Sequence, residues 1–229
     1  MIRDQQGLDQ LLDATRHFVR TVAIPNEDRV EAEDAVPEEA IAAMRALGTF
    51  GWSIPEAYGG AGLTSEELAL AFIELTQCSV AYRVVGAQNA GIGSECLVRD
   101  GTEAQKERYL PRLASGELIG CLALTEPDAG SDATALKTRA VATGDGHYVL
   151  NGHKHYITLA PLADLFTVLA RTDDRDRGGS GITAFLIERG HPGLTTSGST
   201  PKMGQEGAPI GEVFLQDCKV SEEAIIGGV

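Results

Sequence analysis

Positive charge is scarce in this sequence. Nineteen Lys and Arg stand against 33 Asp and Glu, a formal charge of −14. That balance argues against a nucleic-acid partner, which needs a basic face to displace counterions. An anionic ligand would instead need a locally positive pocket or converging backbone N–H groups. Long apolar runs are missing as well. None reaches the roughly 18 residues of a membrane span, and the opening MIRDQQGLDQLL has neither a signal-peptide core nor an Arg/Ser-rich transit composition. Cysteine is limited to Cys78, Cys96, Cys121 and Cys218, without a CxxC, the pattern of thiols kept reduced. These absences predict a cytoplasmic protein. Two nucleotide signatures are also lacking: AGIGSE (90–95) and GGAG (59–62) complete neither GxGxxG nor GxxxxGK[ST]. No Ser/His/Asp or Cys/His set has supporting local spacing.

What is present divides by period. The 229 residues, 43% hydrophobic, suffice for one large domain or two modest ones. The first half reads as helix. Leu8, Leu11, Leu12, Phe18, Val19 and Val22 form one stripe, with Pro25 as the expected stop. Residues 26–34 have no apolar period and are expected as a solvated loop or helix end. Pro37 and Gly48 bracket a helix, and Thr64/Glu67 and Thr102/Gln105 are capping-box patterns. Pro111 is expected to break or restart the helix it falls in. Gly86, Gly91 and Gly93 lower helix propensity over 79–99, so something is expected to pack closely there.

From about Gly120 the period becomes two. Strands are expected at 121–125, 138–143, 147–150, 154–158, 164–171, 182–188 and 212–215, separated by turn signals at GDG, LNGHK and DDRDRGGSG. The fold class is therefore α+β: an N-terminal all-α helical domain, 1–119, followed by an antiparallel β-barrel or sandwich domain, 120–229.

Two stretches carry candidate chemistry. In LALTEPDAGSD (122–132), an alternating strand runs into Thr125, a rigid Pro127, Gly130 and Ser131. A hydroxyl followed by a glycine turn could bring backbone N–H groups to a phosphate; a plain β-turn leading into a capped helix fits the same residues. In NGHKHYIT (151–158), Asn151-Gly152 is a hairpin turn signal, and Tyr156 with Thr158 could cover and hydrogen-bond a flat ring, or simply pack. His153 and His155 would share a strand face, but no third metal ligand is near them in sequence, so no metal is assigned.

LTEPDAGSD, LNGHKHYIT, GITAFLIER and PKMG, in that order, together with GWSIPEAYGGAGLT and GTEAQKERYLPRLASGE in the helical half, resemble the acyl-CoA dehydrogenase family of flavoproteins. The resemblance implies FAD as cofactor. It implies isoalloxazine contacts from the backbone of Leu122 and Leu124, a hydrogen bond from Thr125, approach of Gly130 and Ser131 to the pyrophosphate, and stacking by Tyr156. Ile157 belongs to the same contact stretch, and Thr158 would hydrogen-bond N5. Ser131 would also touch the CoA part of the substrate, and Gln88 would floor the acyl pocket. The implied reaction is α,β-dehydrogenation of an acyl-CoA to the enoyl-CoA, with electrons passing to an electron-transfer flavoprotein. The sequence departs from the family at Tyr156, often Trp, and at Leu159, often Asn.

The family's catalytic glutamate, and FAD contacts from a neighbouring subunit, lie in a C-terminal helical domain that would begin where EEAIIGGV ends. No catalytic residue is therefore assigned. The resemblance implies a C-terminal domain or partner subunit, and a homo-oligomer when complete. The alternatives are a non-catalytic acyl-CoA or flavin-binding fragment, a subunit of a split enzyme, or a flavin oxidase or monooxygenase on the same fold.

Overall fold

The computed structural model describes residues 2–173 and 179–228; the turn expected at DDRDRGGSG lies partly outside them. Among the described residues seven α-helices come first: α1 (Gln5–Phe18), α2 (Glu27–Glu33), α3 (Glu38–Leu47), α4 (Ser65–Leu75), α5 (Val80–Asn89), α6 (Glu95–Asp100) and α7 (Glu103–Ala114). Both capping boxes form. The Thr64 and Thr102 hydroxyls accept from the N–H of Glu67 and Gln105, whose side chains accept from the backbone of the two threonines. Gly48 ends α3 at φ 75°, a conformation that favours glycine.

Three helical expectations change. Pro25 does not stop the chain, because a π-helical turn (Val19–Ala23) and a 3₁₀ turn (Ile24–Asn26) absorb it and lead into α2, where a solvated loop or helix end was expected. The missing N–H of a proline costs nothing where the ladder is already changing register. Pro111 sits inside α7 without ending it. The 79–99 stretch divides into α5 and α6, and its glycines are places of contact. A Cβ on Gly86 would come within 2.5 Å of the Thr49 side chain, and one on Gly93 within 2.7 Å of the Gly120 carbonyl oxygen.

Seven strands follow among the described residues: β1 (Gly120–Ala123), β2 (Arg139–Ala142), β3 (His147–Thr158), β4 (Leu165–Arg171), β5 (Ile182–Glu188), β6 (Leu194–Thr196) and β7 (Ile210–Ser221). They form one curled sheet in the order β1-β4-β2-β3-β7-β6, with β5 on β4. The pairing is mixed. β1 runs parallel to β4, and β2 meets β4 in parallel at Arg139–Arg171, while the other ladders are antiparallel. Turn signals report only sequential neighbours, so they could not show that β1 pairs with β4 across the intervening β2 and β3.

The Asn151-Gly152 turn is also corrected: these residues lie inside the single long strand β3. A Cβ on Gly152 would meet the Thr138 Oγ1 at 2.2 Å, so the glycine serves a close crossing rather than a turn. Asn151 accepts from the Asp217 N–H (2.8 Å) and holds a bulge on β7, where Asp217 has φ 49°.

One core fills the sheet and another the helices, with Leu159 in the helical one. Buried Asn89 joins the two halves. Its amide donates to the carbonyls of Leu113 (2.9 Å) and Leu118 (2.6 Å), and its oxygen accepts from the Gly120 N–H (2.8 Å). No helix among the described residues is long and apolar enough to cross a membrane.

A buried ion pair fixes the loop after β1 to β3. The Lys154 Nζ lies 2.7 Å from a Glu126 oxygen, with side chains 0% and 4% exposed. Lys154 also donates to the Leu124 carbonyl (3.1 Å), and Glu126 accepts from the N–H groups of Lys137 (2.6 Å) and Thr138 (2.9 Å). Lys154→Met strands the carboxylate in the interior and should lower unfolding free energy by about 3–5 kcal/mol. The double variant Lys154→Met/Glu126→Leu should recover part of that loss. Urea unfolding measures both, and a loss below about 1 kcal/mol for the single variant would show that the pair does not hold the loop.

Candidate functional site

The site grows from the two stretches joined by that pair. β1 ends at Ala123, and the chain continues through Leu124 and Thr125 into a turn closed by reciprocal backbone bonds between Glu126 and Ala129. The His155 N–H donates to the Thr125 carbonyl at 2.9 Å. With Lys154 bonded to Leu124 and Glu126, three consecutive residues of the first stretch are thus tied to two of the second.

β3 carries a bulge here. Lys154 opposes Val213 and Ile157 opposes Gly211, so β3 has one residue more than β7 between them. Tyr156 takes up the excess at φ 55° and is turned outward, 63% exposed. A bulge re-aims a side chain in this way at the cost of an αL conformation. Three neighbours then diverge. Ile157 enters the sheet core, Thr158 faces a cavity, and Leu159 (φ 59°) enters the helical core. Leu159 therefore brings no polar group near the site, and its backbone adopts the region in which Asn is favoured over Leu.

The cavity, about 410 Å³, is lined by both Gln88 and Thr158, with Leu68, Phe72 and Arg83 among its other residues. Gln88 comes from α5 and is 6% exposed. Arg83 lies with its guanidinium 5.6 Å over the Phe72 ring and makes no ion pair among the described residues. No carboxylate of the described residues lines the cavity.

The hydroxyls of Thr125, Ser131 and Thr158 have no hydrogen-bond partner among the described residues, nor do the backbone N–H groups of Gly130 and Ser131. A Cβ on Gly130 would meet nothing within 4 Å, so its backbone is open to a ligand. These unclaimed donors fit a group bearing phosphates and ring acceptors, and FAD has both. Leu122 lies in the β1–β4 ladder and is half-buried, as is Leu124; Ile157 is 2% exposed, so only its backbone could touch a ligand.

Glu126 is not free to act as a base. Burial would raise its pKa, but the hydrogen bonds from Lys154 and from the amides of Lys137 and Thr138 outweigh it and hold the carboxyl below its ordinary value. Glu95, the other carboxylate near the glycine-rich stretch, pairs with Arg99 on α6. Sequence reasoning missed Arg83, whose helical position gave no sign of the cavity. It also missed Glu212, which β7 brings within 2.8 and 2.9 Å of His153 and His155.

Comparison with known proteins establishes the family of the chain. Residues 5–117 match "Acyl-CoA dehydrogenase, N-terminal domain" and residues 121–218 match "Acyl-CoA dehydrogenase, middle domain". Mitochondrial isovaleryl-CoA dehydrogenase of Pongo abelii is 44% identical over 79% of this chain and 43% of its own length. Glutaryl-CoA dehydrogenase of Desulfococcus multivorans is 39% identical over 96% of this chain and 57% of its own length. The structure of a Mycobacterium smegmatis glutaryl-CoA dehydrogenase in complex with FADH2 superposes with a TM-score of 0.89 at 32% identity, covering 99% of this chain and 56% of the other. The chain thus spans about half the length of the relatives it matches. Two family domains in sequence and a superposition over nearly every residue lead to one conclusion: this chain belongs to the acyl-CoA dehydrogenase family.

Proposed function

We propose that this chain supplies the flavin- and substrate-binding walls of an enzyme catalysing FAD-dependent α,β-dehydrogenation of an acyl-CoA thioester. The observation that carries the reading is that Gln88, expected at the acyl chain, and Thr158, expected at the flavin, line one cavity. Dehydrogenation requires the acyl chain and the electron acceptor to meet within a few ångströms.

FAD, when bound, supplies the two-electron acceptor for the hydride leaving the β carbon. The chain's own residues bind and orient. Thr125 and Thr158 would offer hydroxyls to the ring system, Tyr156 would cover it, and the backbone of Leu122, Leu124 and Ile157 would lie alongside. The Gly130 and Ser131 amides would hold the pyrophosphate, and Ser131 would also reach toward CoA. The apolar lining from Leu68 and Phe72 excludes water from the acyl chain. In this reading the α-proton acceptor comes from polypeptide outside these 229 residues, because Glu126 and Glu95 are both engaged and neither lines the cavity. The reading extends to an electron-transfer flavoprotein as acceptor and to a homo-oligomer. Exposed Ile92, Tyr156, Leu162 and Met203 offer apolar surface for a covering C-terminal domain or subunit. A cytoplasmic setting belongs to the same reading, supported by four cysteines that form no disulfide.

One observation favours a second substrate class. Among the described residues Arg83 is the one cation in the cavity lining, so an acyl chain ending in a carboxylate would find a partner there.

Three measurements test these assignments in a polypeptide that includes the family's C-terminal domain. Thr158→Val removes one hydrogen bond worth about 0.5–1.5 kcal/mol. It should weaken FAD binding about 2- to 10-fold or shift the flavin potential; an unchanged affinity, potential and absorption spectrum would remove Thr158 from the site. Gln88→Ala should deepen the cavity and raise kcat/KM for a thioester one methylene longer by about fourfold relative to the shorter one. FAD content should stay constant, and an unaltered chain-length profile would refute the pocket assignment. Arg83→Ala should depress turnover of a dicarboxylic acyl-CoA while sparing the straight-chain analogue; equal effects on both would discard the carboxylate reading.

A further inference from the structure

The outer face of β3 carries a constellation that the proposed dehydrogenation does not use. His153 and His155 project from the same side of the strand, and Glu212 reaches them from β7. The His153 Nε2 lies 2.8 Å from one Glu212 oxygen, and the His155 Nδ1 lies 2.9 Å from the other. All the ligand atoms fall within 4.8 Å of one another. We propose that His153, His155 and Glu212 form a binding site for a divalent transition-metal ion of the zinc type.

Three features support a metal over a set of surface ion pairs. The first is chemical. Two imidazoles and one carboxylate are a zinc ligand set, and imidazole nitrogen also suits copper and nickel. The second is geometric. Tetrahedral ligands 2.0–2.2 Å from a zinc ion lie about 3.4 Å apart, so Glu212 need open by only about 0.5 Å from each ring to admit the ion. Moreover, the His155 Nδ1 is buried and, although 2.9 Å from the carboxylate, makes no hydrogen bond. That nitrogen is therefore unclaimed within the protein, although Glu212 also hydrogen-bonds the His153 Nε2. The third is preorganisation. His153 is stacked on Phe214 at 4.6 Å and 17°, which fixes its ring plane. Glu212 opposes the bulged residues His155 and Tyr156, so the ladder itself sets the separation of the three ligands. The side chains are 38%, 24% and 26% exposed, enough for an ion to enter and for water to complete its coordination.

The site adjoins Tyr156, whose ring lies 3.8 Å from that of His155. An ion held here would clamp the bulge that turns Tyr156 outward. The inference does not depend on the dehydrogenase reading.

The test is isothermal titration of zinc chloride into this chain in a non-chelating buffer, beside Glu212→Gln and the double variant His153→Gln/His155→Gln. Binding at one ion per chain, weakened at least tenfold in each variant, is the expected result. No binding, or equal affinity in wild type and variants, overturns the proposal; the latter would assign the zinc to other groups such as the cysteines. A measurement on the unmodified chain guards against a misfolded variant. Of the five histidines, zinc should shift the imidazole NMR signals of His153 and His155 and leave those of His17, His147 and His191 in place. Shifts confined to the latter three would equally overturn it.

Discussion

An ammonium and a carboxylate withdrawn from water must be brought together, or each is left with a desolvation cost of several kcal/mol. The Lys154–Glu126 pair meets that demand with every available partner. Lys154 spans Glu126 and the Leu124 carbonyl, and Glu126 also collects the amides of Lys137 and Thr138. The consequence is geometric. The loop from 124 to 138 has little secondary structure of its own, yet its two ends are held to one point on β3. The open hydroxyls of Thr125 and Ser131 are therefore presented at a fixed distance from Tyr156 and Thr158. A hydrophobic pair of the same volume could fill the space, but it could not satisfy the carbonyl and the two amides that the charges also serve.

Much of this was legible in the sequence where the physics is local. The change of period near Gly120 marked the passage from helices to sheet, the capping boxes at Thr64 and Thr102 formed as their spacing required, and the two candidate stretches do meet. What was not legible is non-local. A period of two cannot reveal that β1 lies beside β4, nor that Asn151-Gly152, a turn signal elsewhere, is here a crossing point over Thr138 opposite a bulge. Glu212 lies on a different strand from the histidines it contacts, so no spacing rule could associate them. Pro25 and Pro111 were over-read for a related reason. A proline removes one hydrogen bond, and a helix supported by tertiary packing can tolerate that loss.

The glycines of the 79–99 segment show how one local weakness can serve a distant contact. The missing Cβ that lowers their helix propensity is also what lets the Gly93 and Gly120 backbones touch and α5 settle against Thr49. Asn89 completes the joint with hydrogen bonds that a side chain in place of either glycine would push apart. Gln88, one residue before Asn89, inherits its position from this joint rather than from contacts of its own.

The run Ile157–Thr158–Leu159 has a mechanical meaning. One neighbour of Thr158 is anchored among the strands and the other among the helices. The threonine thus sits on the seam like a pointer between two gauges, and any slip of the helical body against the sheet displaces its hydroxyl by a comparable amount. Loosening at this seam would misalign the hydroxyl while both cores remained intact. Loss of ligand recognition would then precede loss of fold, and a substitution far from the cavity could blunt the site without any sign in a melting curve.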